Sequence, residues 1–337
     1  MAIPTIPFNF LCLPKTLSEY GSARYAILPI PYDASVSWRG GTKYGPSAVI
    51  AASEHMENYD DELDADYHEC GIATLEAIEP DVSGPEAMIK RVEQAADRIV
   101  QDGKTLLGLG GEHSISLGLF RSLRKKHRNL SVLQIDAHTD MRDEYQSSPF
   151  SHACVMRRIA ETGAKIAGLA VRSISSEEWR FIRSRRDQIL EVTGLQIAQS
   201  DDWLDRVLNH LTDEVFVTID IDGFDPSVAP GTGTPEPGGI DWYTACSLLR
   251  AIAEEKRIVG GDVVEISPVA GQTVTEHLGA RLIYKMICYM EYARLAGEDV
   301  AKAKGKTSTR NAARTVQAAN RTRRSSRDRE LKKRSER

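Results

Sequence analysis

Seven acidic or imidazole side chains follow short apolar segments of the chain at close, regular spacing. They are His113 in GGEHS, Asp136, His138 and Asp140 in DAHTD, Asp220 and Asp222 in TIDIDGFDP, and Glu265 in DVVEISP. Residues i, i+2 and i+4 of an extended chain point to the same side. The spacing therefore predicts that Asp136, His138 and Asp140 converge, and that Asp220 and Asp222 do so as well.

Four carboxylates and two imidazoles gathered in a dry crevice need positive charge, because buried carboxylates repel one another and unpaired buried charge is costly. Six ligands exceed the needs of one four- or five-coordinate ion and suit two ions that share bridging carboxylates. Oxygen-rich ligation with some imidazole and no cysteine favours Mn²⁺, with Zn²⁺, Co²⁺ and Ni²⁺ as weaker candidates. Two ions about 3.5–4 Å apart activate a shared water as hydroxide, so the pattern predicts hydrolysis.

The elements that must position these residues are apolar runs of strand length. Runs rich in Val, Ile and Leu occupy residues 25–30, 105–109, 131–135, 165–171, 215–219 and 262–266. Amphipathic helical patterns lie at residues 86–102, 243–254 and 278–294. Strands alternating with helices predict a single α/β domain with a parallel sheet and helices on both faces. The acidic clusters would then meet at the carboxyl edge of the sheet, where such folds bind ligands.

Composition and charge divide the chain of 337 residues into an acidic body and a basic tail. The chain is 41% hydrophobic and 27% charged, which is typical of a soluble globular protein. Its net charge is −5, but residues 301–337 carry +11, which leaves −16 on the first 300 residues. Because the tail has few large aliphatic residues, we expect it to be disordered. We expect a solvated terminus, with loose adhesion to nucleic acid as the alternative.

Cysteine usage and the absence of an export signal predict a cytoplasmic protein. The five cysteines are scattered and form no C-x-x-C pair, which fits a reducing compartment. The N-terminus has no basic region ahead of an uninterrupted apolar stretch. No apolar run approaches the ~18 residues that indicate a membrane span, so we expect no membrane partner.

The motifs around His113, Asp136 and Asp220 resemble the signatures of the ureohydrolase family, which includes arginase and agmatinase. Similarity extends from about residue 25, through WRGGTKYGPSAVI and APGTGTPEPGG, to about residue 294. We therefore expect an N-terminal extension at residues 1–22, a ureohydrolase domain at residues 23–298 and the tail at residues 299–337. The family implies a binuclear Mn²⁺ centre and assembly into homotrimers or homohexamers.

Motif positions imply two sets of metal ligands that share two carboxylates. One ion would be held by His113, Asp136, Asp140 and Asp220. The other would be held by Asp136, His138, Asp220 and Asp222. Asp136 and Asp220 would then bridge the two ions.

Three residues match the family's catalytic positions. Glu265 would bind the substrate guanidinium, since a carboxylate forms a bidentate ion pair with that group. His152, in the run FSHA, takes the place of the family's proton-shuttle histidine. Asp140 would orient the hydroxide as well as bind metal.

Two departures from arginases favour a small cationic guanidino substrate without an amino-acid head. The loop MRDEYQSSPFSH after DAHTD is unlike the arginase loop that binds the amino and carboxylate groups of arginine. The run AVRSI at residues 170–174 lacks the acidic residue that arginases carry after the corresponding arginine. The chain therefore looks most like an agmatinase, in which hydroxide held by two Mn²⁺ ions attacks the guanidinium carbon of agmatine and yields putrescine and urea.

Gly271 stands where the family commonly has Asp. This departure leaves open an aminopropylagmatine ureohydrolase, a guanidinobutyrase, a guanidinase or an arginase. Two other classes are a deacetylase-like hydrolase, which would need one metal ion, and a non-catalytic binding protein. The ligands for two ions argue against the first, and the intact ligand set with Glu265 argues against the second.

Overall fold

The computed structural model describes residues 5–302, with side chains described as far as residue 297. Its main element is an eight-stranded sheet in the order β4-β1-β5-β10-β9-β6-β7-β8, and every neighbouring pair runs parallel. A short antiparallel hairpin is formed by β2 and β3. The strands are β1 (Tyr25–Ile30), β2 (Tyr59–Asp60), β3 (Ala65–Asp66), β4 (Ile72–Thr74), β5 (Thr105–Gly110), β6 (Leu130–Ile135), β7 (Ile166–Val171), β8 (Ile189–Thr193), β9 (Glu214–Asp220) and β10 (Arg257–Val264).

Helices flank this sheet, which confirms the expected fold class. The helices are α1 (Lys15–Ser18), α2 (Gly45–Ser53), α3 (Pro85–Gln101), α4 (Ser116–Lys126), α5 (Val155–Ala160), α6 (Ser176–Arg183), α7 (Gly194–Gln199), α8 (Trp203–His210), α9 (Trp242–Glu255) and α10 (Val274–Lys302). Local sequence explains several starts. Pro85 opens α3, where a missing N–H costs nothing, and Ser175 and Thr193 begin α6 and α7 with capping boxes.

Five of the six predicted strands occur in the structure with bounds within one residue of the prediction, and the central strand β10 is the exception. The sequence predicts a strand at residues 262–266, whereas the structure has Arg257–Val264. Gly260 and Gly261 hide the first half, because they carry no side chain to signal burial. A Cβ on Gly261 would lie 2.5 Å from the carbonyl oxygen of Val217, so glycine lets β10 sit between its neighbours. The short strands β2, β3, β4 and β8, and helices α1, α2 and α4 to α8, were not predicted.

A row of polar residues crosses the sheet in register, one step below its carboxyl edge. Its members, from β5 to β8, are Gly108, Asp262, Thr218, Gln134, Gly168 and Glu191. Partners in register on parallel strands share a face, and the four polar side chains are all buried. Buried polar groups require hydrogen-bond partners. Two members of the row contact residues at the strand ends: Thr218 contacts His113, and Gln134 donates to Asp136.

At both ends, the described structure continues across the domain boundaries predicted at residues 23 and 298. Within the predicted N-terminal extension, the backbone N–H groups of Phe10 and Leu11 donate to Thr74 Oγ1 and Ser53 Oγ, each at 2.8 Å, and both side chains are buried. At the other end α10 continues to Lys302, so the first residues of the predicted tail are helical. The expected disorder of residues 303–337 lies outside the described residues. None of the helices described is both long and apolar enough to span a membrane.

Candidate metal centre

Four neighbouring strands of the sheet bring the predicted site residues to one edge. Their order β5-β10-β9-β6 places the ends of these strands side by side. His113 lies in a short 3-10 turn after β5, and Glu265 directly follows β10. Asp220 is the last residue of β9, and Asp136 directly follows β6. The carboxyl edge of a parallel sheet is thus the location of the candidate site, as the sequence predicts.

His113 is at the centre of the first cluster. Its Nδ1 lies 3.0 Å from Asp140 Oδ2, 3.2 Å from Asp136 Oδ2 and 3.4 Å from Asp220 Oδ2. The imidazole and the Asp136 carboxylate are fully buried. The ligand atoms of His113, Asp136 and Asp140 all lie within 4.8 Å of one another, a spacing at which one cation can contact all three.

The second cluster shares Asp136 with the first. His138 Nδ1 lies 3.1 Å from Asp222 Oδ2 and 3.6 Å from Asp136 Oδ1. These three groups also present ligand atoms within 4.8 Å of one another. Asp136 therefore directs one oxygen to each cluster, which is the arrangement of a bridging carboxylate. Asp220 contacts the first cluster, and its other oxygen accepts a hydrogen bond from the backbone N–H of Asp222 at 3.0 Å.

The residues converge through turns, and not through the extended chain that the spacing argument assumed. Asp140 has φ of 51°, in the left-handed region, and Asp222 lies in a 3-10 turn at Ile221–Gly223. The Asp220 side chain caps this turn. The side chains converge as predicted, but alternation along a strand is not the cause. Ends of parallel strands lead into tight turns, and those turns aim the last carboxylate of each motif.

The hydrogen bonds of His113 prepare one nitrogen for a cation. The Thr218 hydroxyl donates to Asp262 Oδ1 at 2.6 Å, so the 2.9 Å contact between Thr218 Oγ1 and His113 Nε2 has the imidazole N–H as donor. When the ring is neutral, as binding of a cation requires, Nδ1 presents a lone pair toward the carboxylates. It is buried without a directed hydrogen bond. A lone pair facing three carboxylates fits metal ligation, so the donor set suits the divalent cations that the motifs imply.

Electrostatics at the site show the same demand for positive charge. Burial by itself lowers the pKa of His138, but the carboxylates of Asp136 and Asp222 outweigh burial and raise it to about 12. Burial and the charge of Asp136 raise the pKa of Asp140 to about 7. Without a cation, the imidazole of His138 is therefore protonated, and the carboxyl of Asp140 binds a proton more readily than an ordinary carboxyl does. Divalent ions would replace these protons.

Glu265 and His152 lie next to each other beside the clusters. Glu265 Oε1 accepts a hydrogen bond from the backbone N–H of His113 at 2.7 Å and lies 3.6 Å from His152 Nδ1. Nε2 of His152 is buried without a hydrogen-bond partner, and burial lowers the pKa of this imidazole to about 4. Tyr145 packs edge-on against the His152 ring. The structure thus places two of the three predicted catalytic residues next to each other.

Several residues that support the ligands were not singled out from the sequence. Gln134 donates to Asp136 Oδ2 at 2.8 Å, and Thr234 donates to Asp222 Oδ2 at 3.0 Å. The guanidinium of Arg172 binds the carbonyls of residues 222, 224 and 236, and so ties two loops together. Gln134 and Thr218 stand two residues before a ligand in a strand, a signal that the sequence carried. Arg172 and Thr234 act through contacts between distant segments, which no local pattern reveals.

Gly271, the departure from the family pattern, lies in a turn with φ of 79°. A Cβ placed on this residue would meet no heavy atom within 4 Å. Gly271 is exposed, so the turn at this position is open to solvent.

Comparison with known proteins identifies the relatives of this chain. The sequence model of the arginase family matches residues 23–288. The N(1)-aminopropylagmatine ureohydrolase of Synechocystis sp. is 38% identical over 283 residues, which span 82% of this chain and 92% of that protein. The agmatinase of Pyrococcus horikoshii is 34% identical over 266 residues, which span 79% of this chain and 91% of that protein.

Solved structures give the same relationship. The agmatine ureohydrolase of Thermoplasma volcanium superimposes with a TM-score of 0.77 at 29% identity, over 86% of this chain and 96% of that one. The family match begins at residue 23 and includes all eight strands of the main sheet and both ligand clusters. This chain belongs to the arginase family, the ureohydrolases, and is a hydrolase that acts on guanidino compounds.

Proposed function

We propose that this enzyme hydrolyses the guanidinium group of agmatine to release putrescine and urea. The observation that carries this proposal is the position of Glu265, whose buried carboxylate lies beside the two ligand clusters. The loop MRDEYQSSPFSH after Asp140 is unlike the arginase loop that binds the amino-acid head of arginine. The acidic body also favours a doubly cationic substrate.

N1-aminopropylagmatine is the second candidate substrate. The relative from Synechocystis, at 38% identity, bears the name of an aminopropylagmatine ureohydrolase, and the relative from Pyrococcus, at 34%, bears the name agmatinase. Both candidates share the guanidinium group that Glu265 would bind.

In this proposal two Mn²⁺ ions are held by the clusters described above. The first would be bound by His113, Asp136, Asp140 and Asp220, and the second by Asp136, His138, Asp220 and Asp222. Ions in such a site supply an activated water at neutral pH. Thr218 keeps the His113 lone pair available, and Gln134 and Thr234 hold two of the carboxylates in place.

Three side chains of the protein would bind the substrate, orient the attacking oxygen and transfer a proton. Glu265 binds the guanidinium and orients its carbon toward the clusters. Asp140 orients the attacking oxygen. His152 lies 3.6 Å from Glu265 and is neutral because burial lowers its pKa to about 4. It would take up the proton that the attacking water releases and pass it to the departing amine. Burial, followed by the charge of Glu112, raises the pKa of the Glu265 carboxyl well above its ordinary value, so the positive charge of a guanidinium stabilises its ionised form.

A substrate panel tests the proposal. Protein reconstituted with Mn²⁺ would be assayed for urea release from agmatine, N1-aminopropylagmatine, 4-guanidinobutyrate, arginine and guanidine. We expect the highest kcat/KM for agmatine. A higher value for N1-aminopropylagmatine would support the second candidate, and preference for arginine or 4-guanidinobutyrate would refute both. Elemental analysis of the same protein should find two Mn²⁺ ions per chain.

We further propose that the enzyme is cytoplasmic and assembles as a homotrimer or homohexamer. The family resemblance and the scattered cysteines support these two statements. Analytical ultracentrifugation measures the assembly directly, and a monomer at micromolar concentration would contradict it. Nucleic acid remains a proposed partner only for the basic tail. Salt-dependent retention on a nucleic-acid matrix, measured with the full chain and with a chain ending at residue 297, tests that proposal.

A further inference from the structure

Ser35 joins the loop after β1 to the backbone of His152. Its hydroxyl donates to Glu112 Oε1 at 2.5 Å and accepts the backbone N–H of His152 at 3.0 Å. Its own backbone N–H donates to Glu112 Oε2 at 2.6 Å. Ser35 is thus fixed by two bonds to one carboxylate and passes that constraint to residue 152, which lies 117 positions further along the chain.

Glu112 is a firm anchor for this chain of hydrogen bonds. The carboxylate is fully buried and also accepts the Ser114 hydroxyl at 2.5 Å. The backbone N–H of Glu112 donates to Tyr32 O at 2.7 Å, so the loop and the residue before His113 are bonded in two places. The carboxylate thus accepts three hydrogen bonds, two from Ser35 and one from Ser114. Ser35 therefore has a defined position relative to the first ligand cluster.

The His152 ring has few directional contacts of its own. Its Nε2 has no hydrogen-bond partner, and its Nδ1 lies 3.6 Å from Glu265, beyond a normal hydrogen bond. His152 begins a 3-10 turn at His152–Cys154, in which Ser151 caps Ala153. The backbone N–H of His152 is a first-turn donor without a partner inside the helix. The bond to Ser35 satisfies this donor, and the backbone then determines where the ring lies.

We propose that Ser35 is a positioning residue that holds His152 in place to deliver a proton to the departing amine. The proposal rests on the proposed function, in which His152 is the proton donor. Ser35 touches neither ligand cluster through any hydrogen bond described here. Its effect should therefore fall on proton delivery, with little change in metal binding or in substrate affinity.

Three variants of the full-length, Mn²⁺-loaded protein test the proposal. Ser35→Ala removes the hydroxyl that links His152 to Glu112, and Ser35→Thr keeps it. Ser267→Ala is the matched control, because the Ser267 hydroxyl donates to Gly40 O in the same loop at 3.2 Å without bonding to His152. We expect Ser35→Ala to lower kcat about tenfold with unchanged KM and Mn²⁺ content, since small displacements of a reacting group are costly. Ser35→Thr should restore most of the loss.

Two further measurements separate positioning from a general loss of structure. A crystal structure of Ser35→Ala should show the His152 ring displaced while the ligand side chains stay in place. The solvent deuterium isotope effect on kcat should rise in Ser35→Ala, because proton delivery becomes slower. A loss in kcat no larger than that of Ser267→Ala, or an unmoved His152 ring, overturns the proposal.

A double-mutant cycle distinguishes this proposal from the proposed function. If Ser35 acts through His152, Ser35→Ala should cost nothing further in a His152→Ala background. Full additivity of the two losses would overturn the positioning role and leave the ureohydrolase function intact. Full activity of His152→Ala would overturn both the positioning role and the proton-donor assignment. It would leave the ureohydrolase function intact.

Discussion

The hydroxyl of Thr218 lies 2.9 Å from Nε2 of His113 and accepts a hydrogen bond from its N–H, because the same hydroxyl donates to Asp262. This single relationship determines which nitrogen of the imidazole faces the carboxylates. It also connects the polar row inside the sheet to the candidate metal centre at its edge. Thr218, two positions before Asp220 in β9, thus orients a different ligand, His113, without touching a metal.

Replacing Thr218 with Val should weaken metal binding. The substitution keeps the shape of the side chain but leaves His113 Nε2 and Asp262 without their shared partner. Loss of a group that orients a metal-binding histidine typically lowers metal affinity about 10–100-fold. Titration of the metal-free protein with Mn²⁺, followed by calorimetry, measures the effect. Thr218→Ser, which keeps the hydroxyl, should bind Mn²⁺ as the original protein does.

Asp222→Asn should lower metal occupancy and activity together. Asp222 Oδ2 lies 3.1 Å from His138 Nδ1, and the amide removes a negative charge from the second cluster. We expect elemental analysis to find about one Mn²⁺ per chain, in place of two, and kcat to fall at least about 100-fold. Asp225→Asn is the matched control, since Asp225 lies in the same motif but bonds to Ser227 outside both clusters. Two ions and full turnover in Asp222→Asn would contradict the ligand assignment.

Glu265→Gln should separate substrate binding from metal binding. Glu265 belongs to neither cluster of ligand atoms, so the Mn²⁺ content should be unchanged. Removing the charge that pairs with a buried guanidinium typically costs about 2–5 kcal/mol, so kcat/KM should fall at least about 30-fold. Steady-state kinetics and elemental analysis on one preparation give both values. A variant that loses Mn²⁺ in proportion to activity would show that Glu265 acts through the metal centre.

Glu191 should make the stability of the metal-free protein depend on pH. Both of its carboxylate oxygens are buried without hydrogen-bond partners, and burial, followed by the charges of Asp136 and Glu178, raises its pKa well above the ordinary 4.5. A carboxyl with a raised pKa holds its proton more tightly in the folded state, so stability is lost as pH rises from about 4.5 through the folded pKa.

Glu191→Gln should therefore raise the free energy of unfolding at pH 8, and the gain should shrink toward pH 5. Urea unfolding at several pH values measures this difference. Glu178→Gln provides the contrast, because the Glu178 carboxylate accepts bonds from Thr139 and from the backbone of Met141 and Ser175. That substitution should destabilise the protein at pH 8. Equal effects of the two substitutions would show that the missing partners of Glu191 do not matter.

Much of this site could be predicted because its signals are local. Asp136, Asp220 and Glu265 each end or follow a buried apolar strand, and parallel strands bring their carboxyl ends to one edge. The accumulation of carboxylates at that edge then requires cations. Neither step depends on knowing which residues meet across the fold.

The remaining features depend on contacts between distant segments. The left-handed turn at Asp140 and the 3-10 turn at Asp222 follow from packing at the strand ends, so alternation along the chain does not describe them. Ser35 reaches His152 only after β1 and β5 have paired and aligned their loops. Gly260 reads as a break in a strand until the close approach of Leu106 is known.

The backbone at Glu265 has φ of 61°, a conformation that side chains longer than Asn rarely adopt. Strain of this kind persists where selection maintains it for chemistry, and it usually costs about 1–3 kcal/mol. A library randomised at position 265 and selected for heat resistance alone should therefore enrich Gly or Asn. The same library selected for growth on a guanidino nitrogen source should return Glu. Selection for stability and selection for activity therefore favour different residues at position 265.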